Sequence, residues 1–330
     1  MSKKQIVILG AGTGGTMTAN RLRRRFDQDE AEIHVVDRDD RHVYQPGLLF
    51  VPFGLAHVDE IVRPRRRQLR GGVVFHEREV EEVWPERDEV LLDDGSVLPY
   101  DVLVVATGVR LQPEETEGMT GPGWNERIFT FYSPEGAAAL QGALEQFSHG
   151  RLVVNVVDMP IKCPVAPLEF AFLADWYLHE RGIRNKVELV YATPLDGAFT
   201  KPIASEQLGS LLAEKEIELV TEFNADEVDG VGGTLTSYDG RELEFDALVT
   251  IPLHGGAPLR RALPRTRRRA RLRADRQAHP ADTGQAERLR TRRRDRPADL
   301  EGRLRHPLRG RGADREHRPL LRRPGARRRL

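Results

Sequence analysis

Cys163 is the only cysteine among 330 residues, and the residues around it are of the kind that make a thiol reactive. It stands in Asp158-Met159-Pro160-Ile161-Lys162-Cys163-Pro164-Val165-Ala166-Pro167-Leu168-Glu169, directly after the apolar run Arg151-Leu152-Val153-Val154-Asn155-Val156-Val157. Pro164 suits the first position of a helix, and Phe170, Leu173, Ala174, Tyr177 and Leu178 recur at helical spacing within 169–181. Cys163 is therefore expected at a helix N-terminus beside the Lys162 ammonium, and both features favour the nucleophilic thiolate. A lone cysteine also serves commonly as a small buried hydrophobe; its placement, rather than its identity, favours the reactive reading. With no second cysteine an internal disulfide cannot form, which suits a reducing compartment.

A thiol needs a redox partner, and the N-terminus offers a place for one. Ile6-Val7-Ile8-Leu9 runs into Gly10-Ala11-Gly12-Thr13-Gly14-Gly15, and the strand Glu32-Ile33-His34-Val35-Val36 ends on Asp37. Gly10 permits the tight turn, Gly12 lets a pyrophosphate approach the backbone, and Gly15 lets the next helix pack close to the strand. Amides at that helix N-terminus, Thr13 among them, would hold phosphates. Asp37, with Arg38 beside it, is placed to accept from a ribose hydroxyl. The order strand, loop, helix, strand, acid predicts a dinucleotide site; a glycine-rich turn before an ordinary helix is the alternative.

Tyr100-Asp101-Val102-Leu103-Val104-Val105-Ala106-Thr107-Gly108 reads as a buried strand ending in a small-residue turn. It resembles the second flavin-binding segment of the flavoprotein reductases with two dinucleotide domains, which implies FAD as the cofactor, held by Thr107 and Gly108. Residues 73–98 read as an antiparallel meander with turns at Pro85-Glu86-Arg87-Asp88 and Asp93-Asp94-Gly95. The same resemblance puts the Val80 backbone against the adenine. Asp94-Gly95-Ser96-Val97-Leu98-Pro99-Tyr100-Asp101 is echoed by Asp239-Gly240-Arg241-Glu242-Leu243-Glu244-Phe245-Asp246, so each half should end in the same meander. The second copy runs out through Ile251-Pro252-Leu253-His254-Gly255-Gly256, either a plain exit from the strand or a loop facing the flavin.

In such reductases the second unit binds NADH through its own glycine loop. Here the loop after Val157 holds prolines and a lysine, which remove amide donors and keep the backbone from approaching a pyrophosphate. No NAD(P)H site is expected in the second unit. Lys162-Cys163-Pro164 with Glu169, on a strand-to-helix turn in a FAD scaffold, resembles the sulfide:quinone oxidoreductases. Phe129-Thr130-Phe131-Tyr132-Ser133 and Thr193-Pro194-Leu195-Asp196-Gly197-Ala198-Phe199-Thr200-Lys201-Pro202 add to that resemblance, which covers about residues 4–256. It implies that Cys163 attacks or carries sulfur beside the flavin, that Glu169 accepts a proton, and that Tyr44-Gln45-Pro46-Gly47 lies along the isoalloxazine. It implies sulfide and quinone as partners. Relatives with covalent flavin use a cysteine near position 42; His42 and Tyr44 stand there, implying non-covalent FAD. Two other readings stay open: a type II NADH:quinone oxidoreductase-like flavoprotein, and a non-catalytic protein with a degenerate flavin fold.

The expected architecture is α/β, with two Rossmann-like dinucleotide-binding units and antiparallel meander insertions. Residues 1–110 form the FAD-binding unit, 111–256 the second unit carrying the redox cysteine, and 257–330 an Arg-rich tail expected to be disordered. The chain balances 51 basic against 51 acidic residues, but unevenly. Residues 260–330 hold 26 Arg and eight acids, leaving 25 basic and 43 acidic residues in 1–259, formal charges of +18 and −18. The tail has no Lys, Ser, Val, Ile, Phe, Tyr, Trp or Met, so it cannot build a close-packed core. It lacks the Lys and aromatic interleaving of a nucleic-acid arm and the bulky anchors of a membrane-surface helix. Its alphabet matches an out-of-frame reading of a GC-rich gene, and a frameshift near Pro258 is the favoured account. The resemblance places a second redox cysteine, a third FAD segment and quinone contacts after residue 256, so this chain is expected to bind FAD poorly and to turn over little. Arg63 and Arg65-Arg66-Arg67 read as a solvated run. No stretch has the length of a membrane-spanning helix and no secretory signal precedes the first strand. The expected location is cytoplasmic, with peripheral association at the inner membrane face allowed by the resemblance. No metal site is expected.

Overall fold

Lys4–Leu9 (β1) ends in four buried apolar residues, Ile6 to Leu9, because it lies inside a parallel sheet where both faces are covered. The computed structural model describes residues 3–256, which fall within one compact unit. Thr13–Arg25 (α1) follows β1 and crosses to Ala31–Asp37 (β2); Val73–Glu77 (β3) and Val102–Val105 (β4) complete a sheet of order β3-β2-β1-β4. Chain order reverses at β1, so the Gly10–Gly15 loop at its carboxyl end sits where open α/β sheets bind ligands. Gly10 has φ +99°, and a Cβ on Gly15 would collide with the Gly10 carbonyl oxygen. These two positions therefore require glycine for conformation and for close approach.

Two sequence expectations change here. Residues 73–77 are a parallel strand of the first sheet, not the start of the meander, because Val73 and Phe75 pack into the layer under α1 with Ile33, Val35 and Leu22. The meander proper is Val80–Trp84, Glu89–Leu92 and Val97–Pro99. β4 is half exposed rather than buried, with Val102 at 50% and Val105 at 46%. Among the described residues it has β1 on one side only.

The second sheet is also parallel. Ile128–Phe129 (β5), Gly150–Val156 (β6), Val187–Ala192 (β7), Ile217–Val220 (β8) and Ala247–Ile251 (β9) pair in the order β5-β9-β6-β7-β8. Pro134–Gln146 (α2) leads into β6, and its N-terminus is capped by Ser133 Oγ, which accepts from the Gly136 amide at 3.1 Å. Ala166–Glu180 (α3) joins β6 to β7, and Pro202–Glu214 (α4) joins β7 to β8. The helix after the cysteine thus begins at Ala166, not Pro164, and Cys163 lies in the turn before it. The second meander, Ala225–Asp229, Thr234–Ser237 and Glu242–Glu244, repeats the three-stranded antiparallel form of the first. Repeated sequence has become repeated structure.

One core joins the halves. Leu48, Val51 and Phe53, which follow the Tyr44–Gly47 loop, share a cluster with Phe131, Leu140 and Phe170 of the second half. The Phe53 and Phe170 rings lie 5.0 Å apart, and Phe131 stacks on Phe170 at 4.8 Å. A two-stranded ladder also ties the exits together: Val109–Leu111 pairs antiparallel with His254–Gly256, opposing Leu111 to His254. The 110/111 division drawn from sequence falls inside that ladder. The frameshift and disorder expected of the tail lie outside the described residues.

Candidate active site

A cavity of about 1080 Å³ opens at the carboxyl end of the first sheet. Its wall includes Gly10, Gly12, Thr13, Asp37, Arg38, Gln45, Val80, Thr107 and Gly108, nine positions expected from sequence to meet the cofactor. Gly15 stands behind the wall, in the strand–helix contact described above. Tyr44, 62% exposed, and Pro46 are off the wall. Gly12 is the N-cap of α1 and makes no side-chain cap, and the position of a Cβ there is open space. Uncapped first-turn amides beside open space suit a pyrophosphate. The cavity thus fits a dinucleotide.

Asp37 shapes this end of the cavity. Its Oδ2 accepts from the Ala11 amide at 2.7 Å and meets Arg65 Nη1 at 3.1 Å, while its Oδ1 accepts from the Arg38 amide at 2.9 Å. Arg65 also reaches Asp39 at 3.2 Å, its side chain only 13% exposed. The reading of Arg65 as solvated surface is corrected: two carboxylates draw it into the cavity wall. Arg41, Arg78 and Arg110 are further wall residues that sequence reading missed. An arginine-rich stretch carries no period to mark which member turns inward.

The cysteine segment leaves the carboxyl end of β6, the switch point of the second sheet. Cys163 is exposed, so the buried-hydrophobe reading does not hold. Its carbonyl accepts from the Tyr132 hydroxyl at 2.8 Å and from the Ala166 amide at 3.2 Å. Tyr132 is a wall residue of the cavity, so it joins the cysteine turn to that wall. Burial pushes the phenol well above its ordinary range, with the neighbouring Cys163, Tyr191 and Glu169 adding to the shift; Tyr132 stays a donor at any working pH. Glu169 is exposed in the first turn of α3. Neither Cys163 nor Glu169 lines the cavity itself; both gather around Tyr132 at its edge.

Lys162 spans the two segments. Its Nζ donates to Gln45 Oε1 at 3.2 Å and lies 5.5 Å from the centre of the Tyr132 ring. Desolvation of the ammonium lowers its pKa. On the other side, His254 meets Tyr132 edge to face at 5.6 Å. His254 Nδ1 is 2.9 Å from the Pro252 carbonyl and must carry the proton there, leaving Nε2 a bare acceptor, buried and without a partner among the described residues. Burial drives its pKa down to about 4 against the opposing Pro252 hydrogen bond, and the Lys162 charge adds to the fall. Tyr132 is thus the hub of the site. Nothing in its own sequence neighbourhood shows that its hydroxyl reaches a residue 31 positions away.

Residues 4–154 match the pyridine nucleotide-disulphide oxidoreductase family. The mitochondrial sulfide:quinone oxidoreductase of Mus musculus is 26% identical over 224 residues, 68% of this chain and 49% of that protein. The type II NADH:quinone oxidoreductase of Staphylococcus aureus is 27% identical over 118 residues, 36% of this chain and 29% of that protein. The sulfide:quinone oxidoreductase of Aquifex aeolicus superposes with a TM-score of 0.68 at 21% identity, over 78% of this chain and 60% of that one. That match covers just under half of the chain, and the described residues share the paired Rossmann-like fold of these FAD-binding flavoproteins. Within them its similarity runs to the sulfide:quinone oxidoreductases, at modest identity, and it spans about half the length of the mouse relative.

Proposed function

We propose that this flavoprotein oxidises sulfide at Cys163 and passes the electrons to a quinone. The supporting observation is the turn that carries the thiol. It leaves the switch point of the second sheet, is exposed, and is tied to the wall of the dinucleotide cavity through Tyr132 and through Lys162 and Gln45. The α1 N-terminus and Asp37 would hold the pyrophosphate and ribose of FAD, Val80 the adenine end, and Gln45, Thr107 and Gly108 the flavin end. Bound FAD supplies a two-electron acceptor. Attachment is non-covalent in this reading, since His42 and Tyr44 stand where relatives with covalent flavin use a cysteine.

At that cysteine a sulfur–sulfur bond forms. The Cys163 thiol and a hydrosulfide ion combine to give the Cys163 persulfide, releasing two electrons and one proton. Glu169, at the edge of the same cluster, takes the proton. The loop 158–165 contains no glycine and two prolines, so it offers poor backbone for a nicotinamide pyrophosphate. The similarity to a type II NADH:quinone oxidoreductase covers little more than a third of the chain. The deciding experiment is anaerobic: the FAD-loaded protein is mixed with sulfide or with NADH, and the flavin absorbance is followed. Sulfide should bleach it and NADH should not. Faster bleaching by NADH would move the protein to the second class, and no bleaching by either would leave a binding protein with a flavin fold.

A further inference from the structure

We propose that Lys162 is the group that binds the sulfur substrate as an anion, hydrosulfide, and delivers it to Cys163. This rests on the sulfide reading above and goes further by naming the substrate's charge state and the residue that recognises it.

Charge pairing sets Lys162 apart. Every arginine in the cavity wall has a carboxylate partner: Arg38 with Asp39, Arg41 with Glu135, Arg65 with Asp37, Arg78 with Asp94, and Arg110 with Glu114. Lys162 has none among the described residues. Its two neighbours, the Gln45 amide oxygen at 3.2 Å and the Tyr132 ring face at 5.5 Å, orient an ammonium without cancelling its charge. Of its three N–H donors one is used by Gln45, and two are left for a ligand. An unneutralised, oriented cation at the edge of a cavity concentrates small anions there.

Position and chemistry agree. Lys162 is joined by a peptide bond to Cys163, and the same tyrosine that faces the ammonium fixes the Cys163 carbonyl at 2.8 Å. The neighbouring His254 is neutral at working pH, so it neither competes for the anion nor supplies a second positive charge. The Lys162 ammonium turns to Gln45 rather than to Glu169, the nearby acid of the cluster. Sulfide near neutral pH is largely a monoanion, the form such a site selects over neutral thiols.

The test uses the single cysteine of the full chain as reporter. Cys163 is alkylated with iodoacetate, an anion, and with iodoacetamide, its neutral counterpart, and the ratio of the two rates is taken. Any change in thiol ionisation or turn mobility alters both rates alike and cancels in the ratio; a change in local anion binding does not. Lys162→Gln should lower the ratio about 5- to 10-fold, and Lys162→Arg should keep it within about 2-fold. In the unsubstituted protein, raising salt from about 0.01 M to about 1 M should lower the ratio too, since the screening length contracts from roughly 30 Å to 3 Å. That arm stands even if a variant misfolds. A ratio indifferent to both Lys162→Gln and salt would overturn the proposal. Flavin bleaching separates the two levels. If sulfide bleaches the flavin but the ratio is indifferent, this inference falls alone. If the ratio behaves as expected but sulfide does not bleach, the anion site stands and the sulfide reading falls.

Discussion

At residue scale, Cys163 and His254 make opposite demands on their surroundings. Cys163 is exposed and contributes little packing, so Cys163→Ser should leave the melting temperature nearly unchanged. It should slow sulfide-dependent flavin bleaching by at least about 10²-fold, because the oxygen forms no comparable bond with sulfur. His254 is enclosed and uncharged. Below its unfolded pKa of 6.5 the unfolded chain takes up a proton that the folded chain refuses until about pH 4. Stability from this group is therefore level above 6.5 and falls as pH drops through the interval, by up to about 3 kcal/mol when complete. Denaturant unfolding of His254→Gln beside the parent, at about pH 7 and about pH 4.5, should show a weaker pH dependence in the variant. His34 and His76, lowered mainly by burial, are common to both proteins and drop out of the difference.

At element scale, two devices seat the helices that follow the cysteine turn and the glycine loop. Asp175 on α3 is 1% exposed and accepts from Arg184 Nε and Lys215 Nζ, each at 2.8 Å. Burial raises its pKa, but these partners outweigh that and leave it below the ordinary carboxylate range. Asp175→Asn strands Arg184, 12% exposed, without its counter-charge; thermal unfolding should show a loss of about 3 kcal/mol, in the range for broken buried pairs. The sequence shows α3 by its apolar spacing, but not that its acid would be buried, because both partners come from segments further along the chain. In the first sheet, Gly15→Ala must push α1 away from β1. A loss of about 2 kcal/mol or more is expected, with FAD retention falling in parallel, read by flavin content after gel filtration. That glycine was legible from spacing alone, since its requirement is local. The partial exposure of β4 was not legible, because apolarity does not tell how many neighbours a strand finds.

At the scale of the whole molecule, the paired units were readable because each repeats the same order of strand, helix and meander. The connections between them were not. The shared core of Leu48, Phe53, Phe131 and Phe170 and the ladder of Leu111 with His254 join residues remote in sequence. By the resemblance a third FAD segment belongs after residue 256, where this chain has Arg-rich sequence, and that sets the final expectation. Purified full chain should carry FAD well below one per polypeptide, measured by flavin absorbance against protein mass. Near-stoichiometric yellow protein would show that residues 3–256 with the Arg-rich segment suffice to hold the cofactor.

The sequence by itself determined the glycine loop, Asp37, the lone thiol beside a lysine, and the doubled α/β order, since each shows as residue types in a fixed order along the chain. Only the tertiary structure decided that Tyr132 anchors the Cys163 turn to the cavity, that Arg65 faces inward on two carboxylates, and that Lys162 has none among the described residues. Those outcomes depend on distances between segments 26 to 117 residues apart, set by how two sheets share a core, and no local pattern encodes them.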